Sequence, residues 1–177
     1  MIDFCVLGSG VAGSTIANIL SKKYSVHVFD KARGSGGRSS NKKFKTNLSF
    51  DHGMQYISPK SKEFIKFTQK LLKKKIFKTW DGNHLDFTFE KKLNNTKYIG
   101  AKGNNALIKH QLKGIKQFFT SQIIKIEYKK KIWKITLSDK SSYQFKALVL
   151  TCPFPQLKKI AKKYLDREIS NLKVQMQ

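Results

Sequence analysis

Three glycines, Gly8, Gly10 and Gly13, stand at the spacing GxGxxG directly after the apolar run IDFCVL. An acid, Asp30, follows 17 residues after the last of them. This spacing suits a pyrophosphate. The first glycine allows a tight turn, the second lets a phosphate reach the backbone, and the third lets a helix pack closely on a sheet. A helix opening at Val11 and Ala12 aims unpaired N–H groups and a partial positive charge at the phosphates. Asp30 is placed to accept hydrogen bonds from the hydroxyls of an adenosine ribose and to repel a 2′-phosphate. Lys31, beside it, joins the candidate cofactor-binding residues. The bland alternative is a glycine-rich turn and a strand-ending aspartate with no ligand. A strand, the glycines, a helix, a second strand and the acid all in register argue against it.

A second glycine cluster follows at once, in DKARGSGGR. A fold that binds only NAD has no need of Arg33, Gly36, Gly37 and Arg38 in this arrangement. FAD is different, because its ribityl and ring system extend past the pyrophosphate. A second backbone segment must then pass close to the ligand, and glycines permit that without a Cβ clash. Arg33 and Arg38 can neutralise pyrophosphate charge or fix the loop. The chain has only three arginines, so two flanking one turn is more than a solvated loop requires.

The elements that must hold these residues follow from the hydrophobic pattern. The apolar runs at 2–7 and 25–30 predict buried parallel strands on either side of a helix at 11–22, a βαβ unit. A small hairpin is expected at 44–51 and a helix from Pro59 to Leu72. The aromatic stretch 79–98 reads as strands of a second, smaller region. Residues 104–113 read as a helix with an asparagine near its N-cap. Strands at 121–128, 132–137 and 142–145 read as a β-meander. A further buried strand is expected at 147–152 and a last helix at 156–164. The fold class is therefore α/β. A Rossmann-like FAD-binding domain, with a parallel sheet and a β-meander crossover, is joined by part of a smaller α+β substrate domain. The expected division is 1–58 with 100–155 for the cofactor domain, and 59–99 with 156–177 for the substrate-domain segments.

Composition narrows the function classes. The 177 residues are 40% hydrophobic and 12% aromatic, enough for a core and against disorder. The net charge of +25 invites a nucleic-acid reading, but 33 of the 36 basic residues are lysines, scattered in short runs. Base and phosphate recognition leans on arginine, so a solvated lysine surface is the simpler reading and no specific nucleic-acid partner is expected. Cys5 and Cys152 lie in or beside apolar runs, with no CxxC spacing and no Cys/His cluster. They read as structural cysteines in a reducing compartment, not as metal ligands. Residues 4–21 carry no charge but hold three glycines and several hydroxyls, which suits neither a membrane span nor a signal peptide. The expected location is the cytoplasm.

The motifs in order resemble a known family. VLGSGVAGSTIA and VHVFDKARGSGGRSS resemble the N-terminus of the two-dinucleotide-binding-motif flavoproteins, the group that includes amine oxidases. FDHGMQYIS at 50–58 resembles the FDHGAQYFT-type segment of renalase-like FAD-dependent oxidoreductases. GAKGNNALIKHQL at 100–112 resembles their GMxxLxxHLA-type helix entry, and ALVLTCPFPQLKKI at 147–160 their VVLAxPxPQ stretch. The resemblance implies that Gly8, Gly10 and Gly13 hold the pyrophosphate and that Asp30, where most relatives have glutamate, binds the ribose. It implies that Arg38 and the Gly36-Gly37 turn line the pyrophosphate and ribityl, and that Gly53, Gln55 and Tyr56 lie near the flavin. Met54 stands where alanine is common. Ile123 matches a valine whose backbone contacts adenine.

The resemblance further implies a flavin that accepts a hydride from a small substrate, an amine or a dihydronicotinamide isomer related to NAD(P)H, and passes the electrons to oxygen. The flavin carries such chemistry, so no catalytic triad is needed. His52 is a weak candidate for assisting the substrate; His27, His84 and His110 have no constellation around them. Tyr56 and Trp80 are candidates for an aromatic substrate pocket, with core packing the simpler use of each. Relatives are longer and return to the cofactor with a C-terminal segment containing glycine and aspartate. The expectation is therefore the N-terminal part of such an enzyme. The competing expectation is a non-catalytic FAD- or NAD-binding module that needs a partner chain.

Overall fold

The computed structural model describes residues 1–45, 48–81 and 96–170. The chain runs β1 (Ile2–Leu7), α1 (Val11–Leu20), β2 (Val26–Phe29), one 3₁₀ turn (Gly37–Ser39), β3 (Asn41–Phe44), β4 (Leu48–Asp51), α2 (Lys62–Lys73), β5 (Phe77–Thr79), β6 (Tyr98–Gly100), α3 (Ala106–Gln111), β7 (Lys116–Phe118), β8 (Ile123–Lys129), β9 (Ile132–Leu137), β10 (Ser142–Leu150) and α4 (Phe154–Ser170). It divides into two compact units, Met1–Ser35 with Gln111–Gln177 and Gly36–His110. These cuts fall elsewhere than the domain bounds read from sequence.

The first unit is built on a six-stranded sheet in the order β7-β2-β1-β10-β9-β8. β7, β2, β1 and the second half of β10 run parallel, and β10, β9 and β8 form the antiparallel meander. This is the expected α/β class. The apolar run of β1 lies at the centre because it is covered on both faces, and Cys5 and Val6 are fully buried. One core gathers Cys5, Leu7, Phe29, Ile123, Ile126, Ile135, Leu137, Phe145 and Ala161. Each such aliphatic or aromatic side chain contributes about 1.5–3 kcal/mol on full burial. Burial also pushes the Cys5 thiol far above its ordinary range, which suits a structural cysteine.

Two expected strands, 142–145 and 147–152, are one. β10 pairs antiparallel with β9 through Ser142–Phe145 and parallel with β1 from Phe145 to Leu150. Lys146 interrupts the apolar run and suggests a break, but its ammonium stays exposed and lies 2.7 Å from Asp3 Oδ1. The Asp3 carboxylate also accepts from the N–H and hydroxyl of Ser25. Lys146 first, and then Ser25, hold the Asp3 carboxyl well below the usual carboxylate range. β7 was not expected. Three residues are too few for a periodicity, and the strand is fixed by pairing with β2 and by Phe118 stacking on Phe29 at 4.5 Å. α4 starts at Phe154, earlier than expected, because a proline is tolerated in a first helical turn.

The second unit holds the β3–β4 hairpin, α2, the β5–β6 ladder and the start of α3. The hairpin begins at Asn41 and α2 at Lys62, not Pro59. Ser61 caps α2, its hydroxyl accepting from the Phe64 N–H at 3.2 Å. Ile57, Leu71, Phe77 and Leu107 form the core, with Met54, Phe67, Leu72, Ile76 and Tyr98 packed on it. Most of the strands expected across 79–98, with His84, Phe87 and Phe89, lie outside the described residues. Among the described residues no helix is long and apolar enough to cross a membrane.

Candidate dinucleotide-binding site

The turn between β1 and α1 is the centre of the site in the first unit. Gly8 has φ +103°, a left-handed conformation that favours glycine, and its N–H donates to the Phe29 carbonyl at 2.8 Å. Gly10 is the N-cap of α1, and the first intrahelical bond runs from Ser14 N to the Gly10 carbonyl at 2.9 Å. The N–H groups of Val11, Ala12 and Gly13 therefore have no acceptor within the helix. No acid stands in the first turn and no side chain caps it. Val11 and Ala12 are exposed. This end of α1 presents donors and positive potential to an anion. A Cβ on Gly13 would collide with the Gly8 carbonyl oxygen. The third glycine is thus required by the turn packing on its own helix.

Asp30, at the end of β2, clasps the same turn. Its Oδ2 accepts from the Ser9 N–H at 2.7 Å and the Ser9 hydroxyl at 2.6 Å, and its Oδ1 accepts from the Ala32 N–H at 2.9 Å. An ionised carboxylate offers about four acceptor positions, so one remains, on Oδ1. The side chain that sequence assigns wholly to the ribose is therefore largely engaged by the turn, with one acceptor position left. The Asp30 carbonyl accepts from Ser121 N and the Ala32 carbonyl from Thr120 N, both at 2.9 Å. These bonds bring the segment leading to Ile123 beside the acid. Ile123 itself buries its side chain in the core, next to an irregularity in the β8–β9 register. Lys31 and Arg33 are exposed on the turn after Asp30.

In the second unit, Gly36 and Gly37 both have positive φ, 146° and 55°. Arg38, on the 3₁₀ turn, is exposed, and its carbonyl accepts from Met54 N at 2.8 Å. A Cβ on Gly53 would collide with that carbonyl. The two segments that sequence assigns to the flavin, 36–38 and 53–56, thus lie against each other within this unit. His52 and Gln55 are exposed. Tyr56 faces Trp80 at 5.5 Å between ring centroids, and the Lys97 ammonium lies 4.4 Å from the Tyr56 ring. His110 is exposed. His27 sits instead in the first unit, among Phe118 and Phe145, where burial and then the Lys116 charge lower its pKa.

Sequence reasoning missed Ser9, Thr151 and Asn104. Ser9 lies at a variable position of the glycine pattern. Thr151 ends an apolar run, where a lone hydroxyl is the available signal. Asn104, one of two asparagines near the expected helix start, is a buried hub: its Oδ1 accepts from Gly100 N, and its Nδ2 donates to the Met54 and Gln55 carbonyls.

Residues 6–71 match the NAD(P)-binding Rossmann-like domain family. The chain is 28% identical to renalase of Mus musculus over 163 residues, which cover 86% of this chain and 47% of the relative. It spans about half the length of that curated relative. The resemblance carried by the sequence motifs is borne out as a similarity: the chain is similar to renalase over most of its length, and its N-terminal part matches a Rossmann-like domain.

Proposed function

We propose that this chain binds FAD and is the cofactor-holding part of an FAD-dependent oxidoreductase of the renalase or amine-oxidase kind. The observation that carries the proposal is the start of α1, an acid-free helix N-terminus opening on a glycine turn clasped by Asp30. The residues fit the group. The N–H groups of Val11, Ala12 and Gly13 donate to the pyrophosphate, and Gly10 lets it approach. Asp30 Oδ1 accepts one ribose hydroxyl, and the backbone at Ile123 meets the adenine. Lys31 and Arg33 offset phosphate charge. The sequence resemblance assigns Gly36, Gly37, Arg38, Gly53, Gln55 and Tyr56 to the ribityl and flavin portions, with exposed His52 near them in sequence. When bound, FAD would supply hydride acceptance from a small substrate and electron transfer to oxygen. The similarity to renalase supports a substrate of the dihydronicotinamide or amine class.

The test is the visible spectrum of the purified 177-residue chain with and without FAD, after gel filtration. Flavin bands should stay with the protein, and Gly10→Val should remove them by placing a side chain where the pyrophosphate lies. Oxygen consumption with a dihydronicotinamide would then test the oxidase step. A wild-type chain indifferent to FAD, or one that takes NAD⁺ instead, would overturn the proposal.

A further inference from the structure

Thr151, just past β10, reaches back to the glycine turn from the far end of the sequence. Its N–H donates to the Leu7 carbonyl at 2.9 Å. Its hydroxyl donates to the same carbonyl at 2.8 Å and lies 3.3 Å from the Gly8 carbonyl. A Cβ on Gly8 would stand 2.7 Å from that hydroxyl oxygen, and one on Gly13 2.8 Å from it. The hydroxyl therefore occupies the space that two of the three motif glycines leave open. Thr151 stands where the VVLAxPxPQ pattern carries alanine.

The carbonyl and N–H of one peptide unit point in opposite directions. The Leu7–Gly8 peptide is held by Thr151 at its carbonyl and by the Phe29 carbonyl at its N–H. The Gly8–Ser9 peptide meets Thr151 at its carbonyl and Asp30 at its N–H. Two consecutive peptide planes are thus braced from both sides, by the end of β10 and by the end of β2. A turn fixed in this way loses less freedom when an anion docks on the helix start beside it.

We propose that Thr151 is a positioning residue for the cofactor turn, its hydroxyl setting the peptide planes that lead into Gly10 and α1. The proposal rests on the dinucleotide reading of that turn. Its test uses Thr151→Val, which keeps the shape and removes the hydroxyl, and Thr151→Ser, which keeps the hydroxyl. Amide hydrogen exchange at Gly8 and Ser9 is read without ligand, and FAD affinity by flavin fluorescence. One net hydrogen bond corresponds to about 3- to 10-fold. Thr151→Val should speed exchange at Gly8 and Ser9 and weaken FAD by about that factor, with Thr151→Ser within about 2-fold of wild type in both. Should Thr151→Val not fold, Thr151→Ala takes its place against Thr151→Ser. Exchange unchanged by loss of the hydroxyl, or not restored by serine, overturns the brace. A wild-type chain that ignores FAD would sink the dinucleotide reading, and the exchange comparison would still decide the brace by itself.

Discussion

Replacing Asn104 by alanine should unfasten the Gly36–His110 unit, and the cost can be worked bond by bond. The Asn104 N–H donates to Asp51 Oδ1 at 2.8 Å, a backbone bond that survives the change. Three side-chain bonds do not survive it. Gly100 is buried, so its N–H, now 2.9 Å from Asn104 Oδ1, would be orphaned at a cost of about 1–3 kcal/mol. The Met54 carbonyl, bonded at 2.6 Å, is half-buried and would lose about 1 kcal/mol. Gln55 is exposed, so water replaces its 3.1 Å bond at little cost. The expected loss is about 2–4 kcal/mol, a large share of the roughly 5–15 kcal/mol that holds a domain folded. The chain has two tryptophans, Trp80 in this unit and Trp133 in the other. In a Trp133→Phe background, Trp80 fluorescence in urea reports this unit alone. Asn104→Asp keeps an acceptor for Gly100 but sets oxygen against the Met54 carbonyl, so it should recover only part of the loss. A loss under about 1 kcal/mol for alanine, or an aspartate variant as stable as wild type, would refute the hub.

Two further outcomes follow from the backbone and from burial. Lys130 and Lys131 join β8 to β9 in a two-residue turn with φ 50° and 62°, angles that favour Asn-Gly, so Lys130→Asn with Lys131→Gly should stabilise by about 1 kcal/mol; an unmoved urea midpoint would argue against strain there. His27 has a pKa below its ordinary value through burial and then the Lys116 charge, and its Nδ1 has no partner among the described residues. The unfolded chain therefore binds the proton first, so stability should fall as pH drops below about 6.5. His27→Phe should remove that part of the fall, seen as a growing gap in urea midpoint between pH 7 and pH 5. A constant gap would count against a half-buried ring held neutral.

What was legible in the sequence is what local pattern determines. The buried parallel strands show as apolar runs, and β1 and β9 fall at their expected residues. The glycine spacing marks the strand–turn–helix. What was not legible depends on residues distant in sequence. Lys146 reads as a break because its partner, Asp3, is 143 positions away. β7 has no pattern of its own and exists through β2. Asn104 looks like a cap, since the residue type that caps a helix also suits a buried hub, and only the positions of Gly100, Met54 and Gln55 distinguish the two. Pro59 reads as a helix start, yet the hydroxyl that accepts the first-turn N–H belongs to Ser61.

The glycines show why a motif match and a binding site are different claims. Sequence assigns Gly8, Gly10, Gly13, Gly36, Gly37 and Gly53 to a ligand. In the fold, Gly8 and Gly13 make room for the Thr151 hydroxyl, and Gly13 and Gly53 each make room for a carbonyl. Gly36 and Gly37 adopt angles that other residues resist. All of these would be glycine in a protein that bound nothing. Gly10 differs: with φ −79° and ψ −170° it has angles any residue adopts. A side chain at Gly13 would destroy turn and cofactor site together, so its effect on FAD would say little about contact. A side chain at Gly10 is compatible with its φ and ψ. Loss of flavin there, with unchanged urea stability, would separate the ligand from the fold. The case for a pyrophosphate therefore rests on Gly10 and the acid-free start of α1, and that for a ribose on the one unused acceptor of Asp30, more than on the count of glycines.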